Sequence, residues 1–261
     1  MLKLRSNLSI TLSVWKALFL RESLSRIFSG RATAFWLVAE PLAHIIFLVF
    51  IFTVVRVTTI GGIDSALWIV VGLMTFFLFR KTYEQVASSV KSNQALFSYR
   101  QVKPIDAALV RAALEAFLTT LLFALILVGM ALMGYAVLPA SPMVVVAAIF
   151  GVWLVGLGLG LMASVAEELI PEVGYVIGLT MMPAYIMSGV LLPISAISEP
   201  YRSWLMFNPL VHGLESARSG FSANYHVLPD ISLIYLYQCA LFNIFFGLVL
   251  HRRFSHRLVM Q

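Results

Sequence analysis

Long runs of apolar residues, separated by short polar stretches, dominate the pattern of this chain. A helix needs about 20 residues to cross the hydrocarbon core of a bilayer, and six runs approach or exceed that length. They are residues 33–55, 66–83, 112–133, 143–166, 173–192 and 231–250. The second run is the weakest candidate, because its uninterrupted apolar part stops at Arg80. The pattern predicts an all-α integral membrane protein with six transmembrane helices.

The composition supports the same fold class. Of the 261 residues, 61% are hydrophobic and only 11% are charged, whereas soluble domains are about 25% charged. The six runs leave no room for a large soluble domain. We therefore expect two parts, an amphipathic interface helix at 1–30 and a single transmembrane domain at 31–261.

The first 30 residues contain no continuous apolar stretch of the kind found in a signal peptide. Leu8, Leu12, Trp15 and Phe19 follow one another at spacings of four, three and four, which places them on one face of a helix. Basic residues surround this face. We expect a helix that lies among the headgroups of an anionic leaflet. An ordinary segment before the first span, with chance periodicity, remains the alternative.

Basic residues are distributed unequally between the two sides of the predicted bundle. Of the 18 Lys and Arg residues, six lie in 1–31, six in 80–111 and three after the last run. Only Arg56, Arg202 and Arg218 fall on the opposite side. Basic loops favour the cytoplasmic side of a membrane, so we expect both termini, and the interface helix, in the cytoplasm.

Glu167, Glu168 and Glu172 depart from this pattern, because they lie without a basic residue in a connection expected on the cytoplasmic side. Acidic residues count little in orientation, so the predicted topology stands. Three interpretations of these carboxylates stay open: salt bridges to the interface helix, a contact for arginines of a partner, or simple solvation.

The chain carries no motif for nucleotide binding, metal binding or catalysis. GLGLG at 156–160 lies inside an apolar run without a preceding strand, which argues against a dinucleotide-binding loop. Gly156 with Gly160, and Gly174 with Gly178, instead have the spacing that lets helices approach closely. No lysine follows a glycine, so a P-loop is absent and any ATP dependence must come from another subunit. The histidines and the single cysteine show no metal-ligand spacing, and the basic residues form no stripe for nucleic acid.

Two pairs of ionisable residues lie inside the apolar runs. Glu40 and His44 stand one turn apart in the first run, and Arg111 and Glu115 stand four apart near the start of the third. An ionisable residue inside a membrane span is costly and suggests a function. Glu40 and His44 are either a functional site or a local pair near the membrane surface, whereas Arg111 and Glu115 can extend to that surface.

The segment before the last run is too apolar for a surface loop and too interrupted for a membrane span. Its apolar stretches are about 10 residues or shorter, roughly half the length needed to cross. Pro193, Pro200 and Pro209 mark changes of direction. Its charged residues should point to the surface, into a cavity or at each other; they are Glu199, Arg202, Glu215 and Arg218.

The stretches MMPAYIMSGVLLPIS (181–195) and FNPLVHGLESARSGF (207–221) resemble the ABC-2 type transporter permeases, and in particular the KpsM-like capsular polysaccharide export permeases. The resemblance covers essentially the whole chain. It implies a homodimer that binds two cytoplasmic ABC ATPase subunits and moves a lipid-linked polysaccharide from the cytoplasmic side across a bacterial inner membrane. It also implies no cofactor in this chain, with ATP and Mg on the ATPase. Further implied partners are a periplasmic co-polymerase and an outer-membrane export protein.

The resemblance assigns roles to two groups of residues, and the affinity of aromatic faces for sugar surfaces suggests a third group. The helix that couples to the ATPase corresponds to 91–99, with two apolar anchors, Leu96 and Phe97, and comprises Lys91, Ser92, Asn93, Gln94, Leu96, Phe97 and Tyr99. Periplasmic re-entrant helices over about 194–220 form a gate that includes Pro193, Pro200, Trp204, Asn208, Pro209, His212 and Glu215. Aromatic rings that could stack on sugars along the translocation path are Trp36, Phe76, Phe79, Tyr83, Tyr175 and Tyr185. Each of these rings could also be an ordinary core or lipid-facing residue.

Two other functions stay open on the sequence. The same fold could carry a different cargo, such as O-antigen, teichoic acid or a drug. An integral membrane enzyme that acts on lipids would need polar residues clustered at one depth, whereas this sequence shows only isolated pairs. We therefore expect a transporter membrane subunit rather than an enzyme.

Overall fold

The computed structural model describes residues 7–28, 33–97 and 101–259. The helices in these ranges are α1 (Asn7–Phe28), α2 (Thr33–Val54), α3 (Ser65–Ala87), α4 (Pro104–Leu132), α5 (Pro142–Leu169), α6 (Val173–Met187), α7 (Tyr201–Leu205), α8 (Pro209–Phe221), α9 (Leu233–Arg253) and α10 (Ser255–Val259). Two 3₁₀ segments, Lys91–Leu96 and Ile194–Ala196, lie between them. An antiparallel pair of two-residue strands, β1 (Thr59–Ile60) and β2 (Ile63–Asp64), forms a hairpin between α2 and α3.

Five helices of the described chain are long and apolar enough to cross a membrane, namely α2, α3, α4, α5 and α9. The predicted all-α membrane fold is thereby confirmed. α6 is apolar but has only 15 residues. It ends before Gly189, whose φ of +79° suits a residue without a Cβ. The sixth crossing, expected over 173–192, stays a prediction.

The helices run up and down, which gives the bundle two ends. The hairpin end carries β1, β2 and the loop after α8, and there the N–H of His226 donates to the carbonyl of Gly61 (3.0 Å). The α1 end carries α1, the 3₁₀ segment Lys91–Leu96 and the connection from α5 to α6. At this end the Gln94 amide donates to the Glu168 carboxylate (2.9 Å).

α3 is the most enclosed of the long helices, although its apolar run is the weakest in the sequence. Protein atoms bury 83% of its most apolar window, against 17% for α2 and for α9. Trp68, Leu73 and Phe76 are at most 1% exposed. A helix that contacts protein rather than lipid tolerates polar residues. Arg80 therefore does not end the helix, because its guanidinium pairs with Glu40 of α2 (2.7 Å).

α5 packs closely against two helices through the two sides of its GLGLG stretch. Gly156 and Gly160 face α3, and a Cβ on Gly156 would lie only 2.9 Å from the carbonyl oxygen of Phe79. Gly158 faces α9, where a Cβ would lie 2.7 Å from the backbone nitrogen of Ile244. The packing role predicted for Gly156 and Gly160 is confirmed.

The second small-residue pair, Gly174 and Gly178, plays no such part within the described chain. A Cβ on Gly178 would meet no other atom within 4 Å, and one on Gly174 would meet only the side chain of Glu167, at 3.5 Å or more. The spacing alone could not distinguish this pair from the first. Both glycines line a cleft that α6 forms with its neighbours.

α1 packs along the first turns of α4 through polar pairs. In order along both helices, the pairs are Trp15 with Asp106 (2.8 Å), Glu22 with Arg111 (3.2 Å) and Arg26 with Glu115 (2.8 Å). The residue numbers rise together, so the two helices run in the same direction. Arg111 and Glu115 are 8% and 3% exposed. The sequence suggested that both side chains extend to the membrane surface. They are buried instead, because each pairs with an opposite charge on α1.

The side of α1 that faces the protein also differs from the predicted apolar face. Leu18 and Glu22 are buried, whereas Leu12 is 63% exposed and Trp15 is 37% exposed; the side chain of Leu8 lies outside the described residues. Burial opposes ionisation of Glu22. The guanidinium of Arg111, together with that of Arg21, nevertheless holds the pKa of the Glu22 carboxyl below its ordinary value. The exposed leucines leave α1 an apolar side, so its place among headgroups stays a prediction.

Candidate functional site

A cleft of about 910 Å³ opens between α2, α3 and α6. Toward the hairpin end its walls are apolar and include Phe52, Leu191 and Leu192. Toward the α1 end they carry Arg80 and Glu167, among other polar groups. The cleft therefore follows the membrane-crossing part of the bundle and changes from apolar to charged along its length.

Three of the six aromatic residues predicted for the path line this cleft: Phe76, Tyr83 and Tyr185. The rings of Phe76 and Tyr185 meet edge to face, with centroids 5.1 Å apart. Phe79 does not reach the cleft, because it lies behind Tyr83 and stacks on its ring at 6.1 Å. The cleft thus has an aromatic wall that continues one layer into the core.

Trp36 and Tyr175 do not line the cleft. They are 62% and 80% exposed, and the ring of Trp36 contacts that of Phe35 edge to face. Residue type gave no means of separating these two from the three cleft residues. The difference depends on which side of each helix faces its neighbours, and continuous apolar runs do not reveal that side.

Glu40 and His44, one turn apart on α2, do not pair with each other, so the local pair considered from the sequence is wrong. The Nε2 atom of His44 lies 2.9 Å from the hydroxyl of Tyr185 on α6. Glu40 instead accepts hydrogen bonds from Arg80 (2.7 Å) and Lys81 (2.8 Å) of α3. The two residues therefore tie α2 to the two other walls of the cleft. The contact between His44 and Tyr185 was not predicted from the sequence. A histidine inside an apolar run did indicate that a polar partner must lie nearby.

The interrupted segment before the last run contains two helices, of which the first, α7, is exposed. The predicted gate residue Trp204 is 66% exposed and contacts the ring of Tyr201 edge to face. Pro193 precedes the short 3₁₀ turn at Ile194–Ala196, and Pro200 precedes α7. These prolines lie where the chain changes direction, as expected.

The charged residues Glu199 and Arg202 pair with each other at the start of α7, at 2.8 Å. The hydroxyl of Ser203 also donates to Glu199, at 2.6 Å. The hydrogen bond from Ser203, followed by that from Arg202, holds the pKa of the Glu199 carboxyl below its ordinary value. The pair is exposed, so protein atoms do not bury its two charges.

Asn208, Pro209 and His212 form the start of α8. The Asn208 side chain accepts a hydrogen bond from the first turn (3.0 Å), and Pro209 follows as the first helical residue. His212 fixes this start from two sides: its Nδ1 accepts from the N–H of Ser232 (3.0 Å), and its Nε2 lies 2.8 Å from the carbonyl of Met206. These partners require the tautomer with the proton on Nε2.

Glu215 and Arg218, one turn apart on α8, form a buried ion pair at 2.9 Å. Arg218 is fully buried, and its guanidinium lies 3.5 Å from the ring centroid of Trp68 on α3. It also donates to the carbonyl of Gly189, after α6, at 2.8 Å. The Tyr225 hydroxyl donates to the second carboxylate oxygen of Glu215 (2.8 Å), and burial raises the pKa of Tyr225. One ion pair thus joins α8 to α3, to the turn after α6 and to the loop before α9.

Gly72 of α3 provides the space for this arrangement. A Cβ at that position would overlap the Nη2 atom of Arg218. The sequence left three destinations open for Glu215 and Arg218, and the structure shows that they meet each other. Trp68 and Gly72 were missed, because nothing in their local sequence connects them to a charge about 150 residues away. Tyr225 was missed although it lies only 10 residues from Glu215.

The segment assigned to coupling is a 3₁₀ helix, Lys91–Leu96, and Tyr99 lies outside the described residues. Lys91, Ser92 and Gln94 are exposed at the α1 end, and Leu96 is half-buried. These exposed side chains form the surface that the segment presents.

Asn93 and Phe97 point inward instead. Asn93 is 1% exposed; its amide donates to the carbonyl of Ser89 (2.9 Å) and accepts from Arg21 of α1. Phe97 is 4% exposed and packs with buried residues that include Val165. Phe97 was expected to point outward as an anchor for the ATPase. It instead packs the 3₁₀ segment against its own bundle, because an apolar cluster lies beneath it.

Glu167 and Glu168 lie in the last turn of α5, and Glu172 lies just before α6. These three carboxylates make no ion pair with α1 among the described residues. Glu168 accepts from Gln94 (2.9 Å), Glu167 lines the cleft and Glu172 is exposed. A contact with a partner and simple solvation remain as interpretations of Glu172. In the part of the chain that the structure describes, no three His, Cys, Asp or Glu side chains are grouped to hold a metal ion.

The described chain is thus a bundle of apolar helices, with a cleft between α2, α3 and α6 and a buried ion pair on the short helix α8. The family model of the ABC-2 type transporter matches residues 13–222. The chain belongs to the ABC-2 type transporter family. It is therefore a multi-pass membrane subunit of a transporter, as the resemblance implied.

Three similar proteins extend this comparison over nearly the full chain. The polysialic acid transport protein KpsM of Escherichia coli is 31% identical over 95% of this chain and 96% of its own length. The capsule polysaccharide export inner-membrane protein CtrC of Neisseria meningitidis is 26% identical over 92% of this chain and 90% of its own length. The capsule polysaccharide export inner-membrane protein BexB of Haemophilus influenzae is 24% identical, with 96% and 94% covered.

Proposed function

We propose that this chain is the permease subunit of an ATP-driven ABC exporter that moves lipid-linked capsular polysaccharide from the cytoplasmic side across a bacterial inner membrane. The observation that carries the proposal is the nearly full-length similarity to proteins named for polysaccharide transport and capsule export. The cleft supports it, because its apolar part suits a lipid and its polar, aromatic part suits a sugar chain.

The proposed exporter contains two copies of this chain and two cytoplasmic ABC ATPase subunits. ATP and Mg are held by the ATPase, and this chain contributes no cofactor. A periplasmic co-polymerase and an outer-membrane export protein continue the route outward. The ATPase docks at the α1 end, where Lys91, Ser92 and Gln94 are exposed.

The proposed topology has six crossings with both termini in the cytoplasm. α6 and the residues up to 192 form the fifth crossing, and α9 forms the sixth. α7 and α8 enter the membrane from the periplasmic side and return, which forms a gate over the cleft. The support for this gate is the short length of α8, only 13 residues, together with its enclosed position. A segment that enters the membrane without crossing it is tolerated where its backbone polar groups are covered by protein rather than exposed to lipid.

Filling the cleft should stop export without unfolding the protein. Gly178 lines the cleft, and a Cβ there would meet no atom within 4 Å. We expect Gly178→Trp to reduce surface polysaccharide at least about 10-fold, with polymer retained inside the cell, because an indole occupies 150–250 Å² of contact surface in a narrow path. Surface and intracellular polysaccharide are measured in the same cells.

Gly129→Trp is the matched control. Gly129 on α4 is equally open, since a Cβ there also meets no atom within 4 Å, but it lies outside this cleft. Both variants should reach the membrane in wild-type amounts. If Gly178→Trp exports normally, the cleft is not the path; if the exported polymer is an O-antigen, the cargo class changes while the path stands.

Reversing charge on the 3₁₀ segment should separate the ATPase from the permease. We expect Lys91→Glu to lower the ATPase recovered with the purified permease at least about 5-fold, because the side chain is exposed on the proposed docking surface. Thermal stability should not change. The amount of ATPase per permease after purification is the measurement.

Arg253→Glu is the control, since it makes the same change at an exposed residue near the end of α9. Phe97→Ala should behave differently from both, because removing a buried ring lowers stability by about 3–5 kcal/mol. If as much ATPase is recovered with Lys91→Glu as with the wild type, Lys91 does not belong to the docking surface.

A further inference from the structure

A second cavity lies at the α1 end, between the start of α4 and the end of α9. Its volume is about 600 Å³, and it shares no lining residue with the cleft. Among the described residues that line it, the cations are Lys103 and Arg252, and both are exposed. None of these described lining residues is Asp or Glu. Within the described residues, neither cation forms an ion pair with a carboxylate, so the cavity carries two positive charges that its own walls do not balance.

One wall of this cavity is apolar and continues onto the membrane-facing side of α9. Leu248 belongs to the wall and is 45% exposed. Leu241 and Phe245 lie seven and three residues earlier, both 61% exposed, and therefore share its helix face. An apolar track of two turns thus leads from the cavity along the side of the bundle.

The floor of the cavity is closed by a neutral pair. His251 is 6% exposed and lines the cavity, and its Nε2 atom lies 2.9 Å from the hydroxyl oxygen of Ser164 on α5. The ring therefore already has a partner within the bundle. The charge available to a ligand comes from Lys103 and Arg252 at the rim.

The cavity lies where hydrocarbon gives way to headgroups. The apolar part of α9 ends at Leu250 and is followed by His251, Arg252 and Arg253, while α4 begins at Pro104 after Lys103. A cationic rim above an apolar track, at this depth, has the two-part chemistry of an anionic phospholipid. Basic pockets between membrane helices bind such headgroups, and each nearby Lys or Arg contributes about 5-fold in affinity.

We propose that this cavity binds one anionic phospholipid, with its phosphate between Lys103 and Arg252 and an acyl chain along Leu248, Phe245 and Leu241. Free phosphate shares the headgroup chemistry, but it leaves the apolar track uncovered. The site is separate from the proposed transport path, so it does not depend on the identity of the cargo.

Native mass spectrometry of the full-length protein in detergent tests this site. The probes are phosphatidylglycerol, phosphatidylcholine and inorganic phosphate, each titrated separately and then in competition. We expect one phosphatidylglycerol to be retained in preference to phosphatidylcholine, and about 25-fold weaker retention with Lys103→Gln and Arg252→Gln combined. Inorganic phosphate at millimolar concentration should not displace the lipid.

The matched control combines Lys91→Gln with Arg253→Gln, which removes the same charge at the same end but outside the cavity. It should retain the lipid as the wild type does. Equal loss in both double variants, equal binding of phosphatidylcholine, or displacement by phosphate would each overturn the proposal. If the cavity variant aggregates, Lys103→Arg with Arg252→Lys replaces it, and the preference for phosphatidylglycerol must then persist.

Discussion

Arg218→Met should leave little folded protein in the membrane. The change keeps an unbranched side chain but removes the charge that balances Glu215, and the pair is buried, with side chains 0% and 4% exposed. Removing one partner of a buried pair costs about 3–5 kcal/mol, which is a large part of the stability of an ordinary domain. The hydrogen bond to the Gly189 carbonyl is lost as well. The measurements are the amount inserted and the melting temperature in detergent.

Arg202→Met is the matched control. Arg202 also follows a glutamate by three residues and pairs with it, but that pair is exposed. Exposed ion pairs contribute little, so its melting temperature should equal that of the wild type. Combining Arg218→Met with Glu215→Gln should recover part of the loss, because no unpaired charge is then buried. Equal melting of Arg218→Met and Arg202→Met would contradict the structural role of the buried pair.

Gly158→Ala should also destabilise the bundle, by about 1–3 kcal/mol, because overpacking a close helix contact forces the backbone apart. The added Cβ would lie 2.7 Å from the backbone nitrogen of Ile244 and 2.9 Å from the backbone carbon of Asn243. Neither atom can rotate away as the end of a side chain could. A lower melting temperature, with α9 more readily cleaved by protease, is the expected result.

Gly178→Ala is the opposite case in the same chain. It places the same methyl group on a membrane helix where nothing lies within 4 Å, and alanine is the better helix former by about 1 kcal/mol. Its melting temperature should equal or exceed that of the wild type. If the melting temperatures of Gly158→Ala and Gly178→Ala shift in the same direction, the difference in helix contact at the two glycines does not control stability.

Helix positions were largely predictable from the sequence, whereas contacts between helices were not. The apolar runs fix the places of α2, α4, α5 and α9 because length and hydropathy are local properties. The residue that looked like the end of the second run, Arg80, lies inside α3, because its partner Glu40 comes from another helix. The local sequence contains no sign of that partner.

In the candidate site, too, the sequence indicated suitable residues but not which of them lie together. Phe76 and Tyr185 were predicted for the path and line the cleft, yet Trp36 and Tyr175 were predicted on the same grounds and lie elsewhere. In a helix that is apolar all round, periodicity does not mark an inner side. Phe97 was placed outward as an apolar anchor for the ATPase, and only the cluster beneath it explains its burial.

The enclosed position of α3 has a consequence for how the protein is made. This helix has a mean hydropathy of 1.4 in its most apolar window, against 2.2 for α2, and it carries Arg80 and Lys81. A lone helix with two such cations partitions poorly into lipid. Glu40, which pairs with both and offsets one of their two charges, is synthesised about 40 residues earlier and already lies in the preceding span. The order of synthesis therefore supplies the counter-charge before the helix that requires it leaves the ribosome.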